Sequence, residues 1–272
     1  MNLVFDIGGT KTRVALSDGK DLVGGALIYE TPKDYNLGIN LLVENSKKLT
    51  SESIETVAGG IAGVLDISKS TLTNCPNLTN WSQKNFKKDL EEAFRCLVKI
   101  ENDSALSALG EAVFGAGRDV NVISFLTFGT GVGGARIVNK NIDNNLFGFE
   151  PGHHIVDVKS FLEGKEANLE YLASGVGVEK WLLKKPYDIK DQNLWNRVMD
   201  YMSIGIANTL CFWPCDKFVI GGGLVRHQLT DLSYINMKVS NFVKIYKSIP
   251  QIVKAQLGEL SCLYGAIAYL LC

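Results

Sequence analysis

The stretch that decides the fold is VFDIGGTKTRVAL, Val4–Leu16, in which a Gly-rich turn lies between two apolar, strand-like runs. A Walker A phosphate loop needs four residues between its first Gly and its Gly-Lys-Ser/Thr, and it opens a helix. This stretch has a shorter spacing, and the residues after it are rich in β-branched and aliphatic types up to a hairpin signal at Asp18-Gly19. The pattern therefore predicts an antiparallel meander over Leu3–Ile28.

The Gly-rich turn has the composition of an anion cradle. Its glycines let backbone N–H groups approach a phosphate, and the next residues add side-chain donors. The candidate phosphate contacts are Gly8, Gly9, Thr10, Lys11 and Thr12. Asp6, at the end of the first strand, is placed to hold Mg²⁺ through water. Taken alone, the turn is explained equally well as an ordinary tight hairpin with a surface lysine.

A second strand-turn-strand unit strengthens the nucleotide interpretation. Residues 122–138 read VISFLTFGTGVGGARIV, again with a Gly/Thr turn between two strands. Two such units predict an internally duplicated fold whose halves face each other across a nucleotide. Thr130, Gly131 and Gly133 are the candidate phosphate contacts of the second unit.

Composition sets bounds on the function. The chain has 272 residues and 46% hydrophobic content, which is enough for a globular core. A net charge of -1 with no long basic run excludes a nucleic-acid footprint. No apolar run reaches the roughly 18 residues of a membrane helix, and the six scattered cysteines suit a reducing compartment. We therefore expect a cytoplasmic protein with small-molecule partners, and neither a nucleic-acid nor a membrane partner.

A candidate catalytic carboxylate lies in KIENDSALSALGEAVFG, residues 99–115. Leu97–Ile100 is strand-like and the residues from Ser104 have helical spacing, so Asn102 and Asp103 fall at a strand-to-helix junction. Asp103 has two interpretations. It either caps the helix, which is common for Asp before an apolar-periodic run, or it accepts the proton of an attacking hydroxyl group.

The order of the motifs carries a family resemblance. The chain contains, in this order, DIGGTKTRVAL, ENDSALSALGE, LTFGTGVGGA, FEPGH, LEYLASG and FVIGGGL. The set resembles the ROK family of sugar kinases, a branch of the actin, Hsp70 and hexokinase superfamily, over nearly the whole chain. The resemblance implies an α/β, two-lobed actin-like ATPase (ribonuclease H-like) fold. Each lobe would be a mixed sheet flanked by helices, with the active site in the cleft between the lobes.

The resemblance also assigns the parts of the chain to the two lobes. Residues 1–115, joined by a C-terminal helix within 258–272, would form the N-terminal lobe with the first phosphate loop and the catalytic aspartate. Residues 116–257 would form the C-terminal lobe with the second phosphate loop and the sugar and adenosine contacts. The apolar stretch LYGAIAYLL would pack back onto the N-terminal lobe. The resemblance further implies a homodimer.

The activity that the resemblance implies is that of a glucokinase-like, ATP-dependent sugar kinase. It would transfer the γ-phosphoryl group of ATP to a hydroxyl of a hexose or hexosamine, with Mg²⁺ present. Asp103 would be the general base, and Asn102, Glu150, His153 and Glu170 would bind the sugar. Carboxylate, imidazole and amide groups can all bind sugar hydroxyls by hydrogen bonds.

One part of the family pattern is missing. ROK kinases usually continue from the histidine of FEPGH into a loop of the form Cys-x-Cys-Gly-x-x-Gly-Cys-x-Glu, which holds a structural zinc ion. Here the corresponding stretch, HIVDVKSFLEGKEANLEYLASG, has no cysteine. We therefore expect no zinc, a structural role for His154, and a loop over 156–168 that is held by packing alone. The alternative for Glu170 is an exposed helix carboxylate.

Two further segments have alternative interpretations. LTNCPNLTNWS resembles the family segment that closes over the sugar, and its Trp81 either stacks near the sugar or anchors the core. In FVIGGGL, a buried strand leads into Gly221, Gly222 and Gly223. These glycines either let the backbone approach adenosine closely or form a ligand-free strand-to-helix turn.

The coarse element pattern completes the expectations. Helices are predicted near 37–49, 84–95, 169–183 and 194–210, and strands at 56–60 and from 121 onward. Two other functions fit the same motifs. A catalytically silent sugar or nucleotide sensor is suggested by the missing zinc loop, although retention of Asp103 argues against it. An ATPase acting in conformational work is disfavoured by the sugar-type residues.

Overall fold

The computed structural model describes residues 1–143 and 145–271, and the chain divides into two compact units. The first unit comprises Met1–Gly115, a short segment before Phe149 and the C-terminal helix. The second comprises Ala116–Asp143 and Phe149–Gly258. Each unit contains one five-stranded sheet with parallel and antiparallel pairs, and helices accompany both sheets. The predicted mixed sheets are therefore confirmed.

The sheet of the first unit is built around its N-terminal strand. In chain order the elements are β1 (Asn2–Ile7), β2 (Lys11–Ser17), β3 (Leu22–Glu30), α1 (Tyr35–Leu49), β4 (Thr56–Ile61), β5 (Val64–Leu65), β6 (Leu72–Asn74), α2 (Phe86–Phe94), β7 (Leu97–Asn102) and α3 (Asp103–Val113). The strand order is β3-β2-β1-β4-β7, and β5 pairs with β6 separately. The predicted meander is confirmed, because β1, β2 and β3 pair antiparallel.

The register of the parallel strands gathers the candidate residues of this unit at one sheet edge. Ile7 at the end of β1 pairs with Ile61 at the end of β4, and Ile61 pairs with Asn102 at the end of β7. Because parallel strands end at the same edge, the Gly-rich turn after β1 and the start of α3 leave the sheet at one edge, with the end of β4 between them.

The second unit repeats the same plan with different helices. In chain order its elements are β8 (Val122–Phe128), β9 (Val132–Val138), β10 (Asn141–Ile142), α4 (Val158–Leu162), α5 (Leu169–Ala173), α6 (Gly175–Leu182), α7 (Gln192–Phe212), β11 (Lys217–Gly221), α8 (Leu232–Phe242) and β12 (Gln251–Lys254). The strand order is β10-β9-β8-β11-β12. Thr127 near the end of β8 pairs in parallel with Gly221 at the end of β11, so two glycine-rich segments leave this sheet at one edge.

Within the described part of the chain, no helix combines the length and the apolar sequence needed to cross a bilayer.

The single helix predicted over 169–183 is wrong, because two helices meet there at Ser174. Ser174 has an extended backbone, and its hydroxyl accepts a hydrogen bond from the Gly177 N–H at 2.9 Å, which caps α6. The next N–H, that of Gly175, donates to the Gly129 carbonyl at 2.7 Å instead of continuing α5. A tertiary contact with the second Gly-rich turn therefore interrupts the helical pattern.

The C-terminal helix, α9 (Ser261–Leu271), packs against α3 at van der Waals backbone distance. A Cβ at Gly265 would lie 1.8 Å from the Leu106 carbonyl oxygen, and one at Gly110 would lie 2.2 Å from the Ser261 carbonyl oxygen. Beside this crossing, the fully buried Glu111 accepts a hydrogen bond from the Ser261 hydroxyl at 2.9 Å. The final helix is thus joined to the first unit, as its apolar sequence indicates.

We predict that Gly265→Ala destabilises the protein by about 2–4 kcal/mol, because the new methyl group forces α9 and α3 apart. Urea unfolding measures the loss. The matched control is Gly25→Ala in β3, where an added Cβ meets nothing within 4 Å. Equal stability of the two variants would contradict the close helix crossing.

Candidate active site

The first Gly-rich turn is closed by its own backbone and by Thr31. The Gly8 N–H donates to the Lys11 carbonyl at 3.0 Å. Thr31 donates through its N–H to the Thr10 carbonyl at 2.9 Å and through its hydroxyl to the Gly8 carbonyl at 2.8 Å. The carbonyl oxygens of the turn therefore have protein donors, and the side chains of Thr10 and Lys11 are exposed.

Thr12 is placed differently from the other candidate phosphate contacts. It is 2% exposed, and its hydroxyl lies 2.9 Å from the Thr31 hydroxyl. Because both hydroxyl groups are buried beneath the turn, Thr12 supports the turn through Thr31. It does not present a donor at the surface.

Asp6, the candidate magnesium residue, is buried and paired with Arg13. A guanidinium nitrogen of Arg13 lies 3.1 Å from Asp6 Oδ2, and the other lies 2.7 Å from a Glu259 carboxylate oxygen. Burial raises the pKa of the Asp6 carboxyl, and Arg13 opposes that rise. Mg²⁺ usually keeps several waters and takes its remaining oxygens from substrate phosphates. A single paired carboxylate fits an ion held in that way through water, and it does not fit a direct protein cage.

The junction of β7 and α3 assigns the capping role to Asn102. Its Oδ1 accepts hydrogen bonds from the N–H groups of Ser104 at 2.9 Å and Ala105 at 3.1 Å, and its amide nitrogen donates to the Gly63 carbonyl at 3.1 Å. Asp103 is the first residue of the helix, and its carboxylate accepts from the Ser104 N–H at 2.8 Å. The cap is therefore Asn102 rather than Asp103, and the Asp103 carboxylate lies at the positive end of the α3 dipole.

Trp81 belongs to the core of the first unit. It is 1% exposed, and its indole N–H donates to the Pro32 carbonyl at 3.1 Å. Its ring packs edge-on against Tyr35 and tilted against Phe86, with centroids 5.3 and 5.9 Å away. Of the two interpretations, the core anchor is therefore correct, because a side chain buried to this degree has no free face for a sugar.

Backbone N–H groups at the start of α6 hold the second Gly-rich turn. Within the turn, the Gly129 N–H donates to the Gly131 carbonyl at 2.9 Å, and the Val176 N–H donates to the Thr130 carbonyl at 3.3 Å. Thr130 and Gly131 therefore lie in the turn. Gly133 lies one position inside the start of β9, where its backbone is part of the sheet.

Three of the predicted sugar residues come together in the second unit. His153 Nε2 lies 3.8 Å from Glu150 Oε2, and Glu170 Oε2 accepts the Val132 N–H at 2.8 Å. Partial burial raises the pKa of the Glu150 carboxyl; His153 opposes this rise, and the negative charge of Glu170 adds to it. The cluster therefore combines two carboxylates and an imidazole beside the start of β9.

The loop without cysteines is closed by backbone pairing. Ile155 and Asn168 form an antiparallel bridge, and the Val156 N–H donates to the Ala167 carbonyl at 2.9 Å. Val156 and Ala167 are also buried. The expectation that packing alone holds this loop is therefore wrong, since main-chain hydrogen bonds close its two ends.

This closure sets the position of Glu170. The Asn168 side chain caps α5 by accepting the Tyr171 N–H at 2.8 Å, which leaves Glu170 in the first turn of the helix. The Leu169 N–H donates to the His154 carbonyl at 3.0 Å, and burial lowers the pKa of the His154 ring.

Over residues 1–143 and 145–271, no group of three or more His, Cys, Asp or Glu side chains is arranged to hold a metal ion.

The glycines after β11 differ in their surroundings. Gly222 has a φ of 93°, and a Cβ there would lie 2.4 Å from the Phe128 carbonyl oxygen, so the residue must be glycine. Gly221 ends the strand, and Gly223 has nothing within 4 Å of a built Cβ. Gly222 thus allows close packing against the Phe128 backbone, whereas the absence of a side chain at Gly223 leaves open space beside the end of the strand.

The sequence of the whole chain can now be compared with known protein families. A sequence model of the ROK family matches residues 3–271. The chain belongs to the ROK family. Its fold is the actin-like ATPase fold of the ROK kinases, with one mixed sheet in each unit.

Sugar kinases of other organisms match over most of the chain. It is 27% identical over 296 residues to an N-acetyl-D-glucosamine kinase of Vibrio atlanticus, covering 96% of this chain and 97% of the relative. It is 28% identical over 235 residues to a fructokinase of Pediococcus pentosaceus, covering 80% and 81%. A ROK family glucokinase of Streptomyces griseus, solved in complex with glucose and AMPPNP, superimposes with a TM-score of 0.82 at 22% identity, covering 98% of each chain.

Two supporting residues, Arg13 and Ser174, have roles that the sequence analysis did not identify. Arg13 faces Asp6 because the two are direct partners in the β1–β2 ladder, so the meander pairing contained that signal. Ser174 before Gly175 is a helix-start signal, and it could have predicted the break between α5 and α6. Both contacts depend on knowing which segments are neighbours in space.

We predict that Glu150→Gln raises the free energy of unfolding at pH 7. A raised pKa means that the folded state favours the protonated carboxyl, so the ionised form costs stability above the unfolded-state pKa. Wild type recovers that cost as the pH falls through the folded-state pKa, and the advantage of the variant should shrink towards about pH 5. Urea unfolding at both pH values measures it, with the exposed Glu166→Gln as control. An advantage that grows at the lower pH would contradict the prediction.

We also predict that EDTA leaves the melting temperature of the ligand-free protein unchanged, because backbone pairing closes the loop over 156–168 without cysteine ligands. A structural zinc site would contribute folding free energy that a chelator removes. Thermal unfolding with and without EDTA, beside metal analysis of the purified protein, checks this. A chelator-induced drop together with released zinc would contradict it.

Proposed function

We propose that this chain is an ATP-dependent sugar kinase that transfers the γ-phosphoryl group of ATP to a hydroxyl of a hexose or hexosamine. The observation that carries the proposal is the junction of β7 and α3. Asn102 takes the capping bonds there, and the Asp103 carboxylate lies at the helix N-terminus. Because Asn102 caps the helix, Asp103 is not needed for that role, and the Ser104 N–H holds its carboxylate at the junction of β7 and α3.

In the proposed mechanism, Asp103 accepts the proton of the attacking sugar hydroxyl as the new O–P bond forms. Phosphoryl transfer requires little covalent chemistry from the protein, so positioning and charge compensation supply most of the rate enhancement. The α3 dipole favours the ionised form of Asp103, which is the form that accepts a proton. Asn102 fixes the carboxylate by holding the first turn of the helix.

The sugar contacts are proposed for Asn102, Glu150, His153 and Glu170. Glu150, His153 and Glu170 offer acceptors and a donor in one cluster, which suits neighbouring hydroxyl groups. Relatives that act on fructose and on N-acetyl-D-glucosamine support a hexose or hexosamine as the substrate.

The nucleotide contacts are proposed for both Gly-rich turns and for the glycines after β11. The proposed phosphate contacts are Gly8, Gly9, Thr10, Lys11, Thr130, Gly131 and Gly133, with Thr12 supporting the first turn from below. Gly221, Gly222 and Gly223 are proposed beside adenosine, where Gly223 leaves open space. Mg²⁺, when bound through water near Asp6, neutralises phosphate charge. The Streptomyces griseus relative in complex with AMPPNP, an ATP analogue, supports ATP as the donor.

We predict that purified protein releases ADP from MgATP only when a suitable sugar is present, and that Asp103→Asn lowers kcat about 10²- to 10⁴-fold. The measurement is ADP release across a panel of hexoses, hexosamines and N-acylhexosamines. Asn keeps the size of the side chain, so thermal unfolding of the variant should match wild type.

Two outcomes would overturn this prediction. Sugar-independent ADP release would favour an ATPase. Absence of turnover, with sugar still raising the melting temperature of both proteins, would favour a silent sugar sensor on the same fold.

A further inference from the structure

The segment between β3 and α1, Thr31-Pro32-Lys33, is bonded to the first Gly-rich turn at every carbonyl of that turn. Thr31 donates to the carbonyls of Thr10 and Gly8, and Lys33 Nζ donates to the Gly9 carbonyl at 3.3 Å. The turn is therefore positioned by three donors from a segment of three residues. No motif identified in the sequence includes this segment.

The same three residues are bonded to the segment Leu72–Trp81. The Pro32 carbonyl accepts the Trp81 indole N–H at 3.1 Å, and Lys33 Nζ donates to the Asn77 carbonyl at 2.9 Å. Asn77 also packs directly on the turn, since a Cβ at Gly9 would lie 2.6 Å from the Asn77 Cβ. The Lys33 ammonium thus lies where the Gly-rich turn and the Asn77 segment meet.

The chemistry of the ammonium group suits a phosphoryl group at that point. Lys33 is exposed, and the bonds to Gly9 and Asn77 use two of the three donors of its ammonium. Under the proposed function, the turn holds the phosphates of ATP, so the Lys33 ammonium lies beside the proposed phosphate site. The transferring phosphoryl group carries negative charge on its non-bridging oxygens.

We propose that Lys33 is a further catalytic residue, whose ammonium hydrogen-bonds a non-bridging oxygen of the phosphoryl group as it moves from ATP to the sugar. The inference rests on the proposed function and deepens it. Lys33 forms no covalent bond and transfers no proton. It compensates charge while Asp103 takes the hydroxyl proton and ADP leaves.

A purely fastening role gives a different kinetic pattern. If Lys33 only joined the turn to Asn77 by hydrogen bonds, its loss would loosen the Gly-rich turn and the segment Leu72–Trp81. The main effect would then be a higher KM. A contact with the transferring group acts mainly on kcat, because it strengthens in the transition state. An arginine side chain retains the positive charge and hydrogen-bond donors, so it should restore part of the rate.

The test compares Lys33→Met, Lys33→Arg and the control Lys20→Met, which removes an exposed lysine in the turn between β2 and β3. We expect Lys33→Met to lower kcat about 10²- to 10³-fold with sugar KM changed less than about twofold. Lys33→Arg should recover part of the rate, and Lys20→Met should match wild type. A Lys33→Met loss confined to KM, or kcat equal to that of Lys20→Met, would overturn the proposal.

A binding experiment separates this inference from the proposed function. Calorimetry with the monophosphate ester that the reaction forms from each sugar, and with the free sugar, needs no turnover. We expect Lys33→Met to weaken binding of the ester by about tenfold and binding of the free sugar by less than about twofold. Equal losses for both ligands, or no ester binding by wild type, would overturn the Lys33 contact. Absence of sugar-dependent ADP release by wild type would overturn the kinase proposal instead.

Discussion

The pair of hydrogen bonds from the start of α3 to the Asn102 side chain is the constraint on which the first unit depends. Asn102 ends β7 and caps α3, so the next residue, Asp103, is fixed at the positive end of a helix. The parallel register of β1, β4 and β7 then brings this helix start to the sheet edge where the Gly-rich turn leaves β1. The cap, the strand register and the turn together bring the Asp103 carboxylate and the first Gly-rich turn to the same edge of the sheet.

In the second unit, one hydrogen bond joins a candidate sugar residue to the backbone beside the candidate phosphate turn. Glu170 accepts the N–H of Val132, the first residue after the second Gly-rich turn, so a sugar-type carboxylate and a phosphate-type turn share one contact. Asn168 makes this possible, because it both closes the cysteine-free loop with Ile155 and caps α5. Backbone pairing and the Asn168 cap therefore order this loop and the start of α5 together.

Particular residues show how far the sequence could be followed. The β1–β2–β3 meander and the strand-to-helix junction at Asn102 and Asp103 were predictable, because alternation, helical spacing and turn residues are local signals. The helix break at Ser174 was missed because apolar spacing continues across it, although Ser174 is a local helix-start signal; its cap and the contact between Gly175 and Gly129 produce the break. The buried positions of Thr12 and Trp81 likewise depend on partners distant in the chain, Thr31 and Pro32.

The sequence by itself determined the class of fold, its two Gly-rich turns and the order of motifs that identifies the ROK family. Those features depend on residues a few positions apart, and local patterns record them. The three-dimensional structure was needed to show that Asn102 rather than Asp103 is the cap and that Lys33 joins the first turn to Asn77. Each of these depends on which donors and acceptors lie within hydrogen-bond distance, and packing and strand register set those distances.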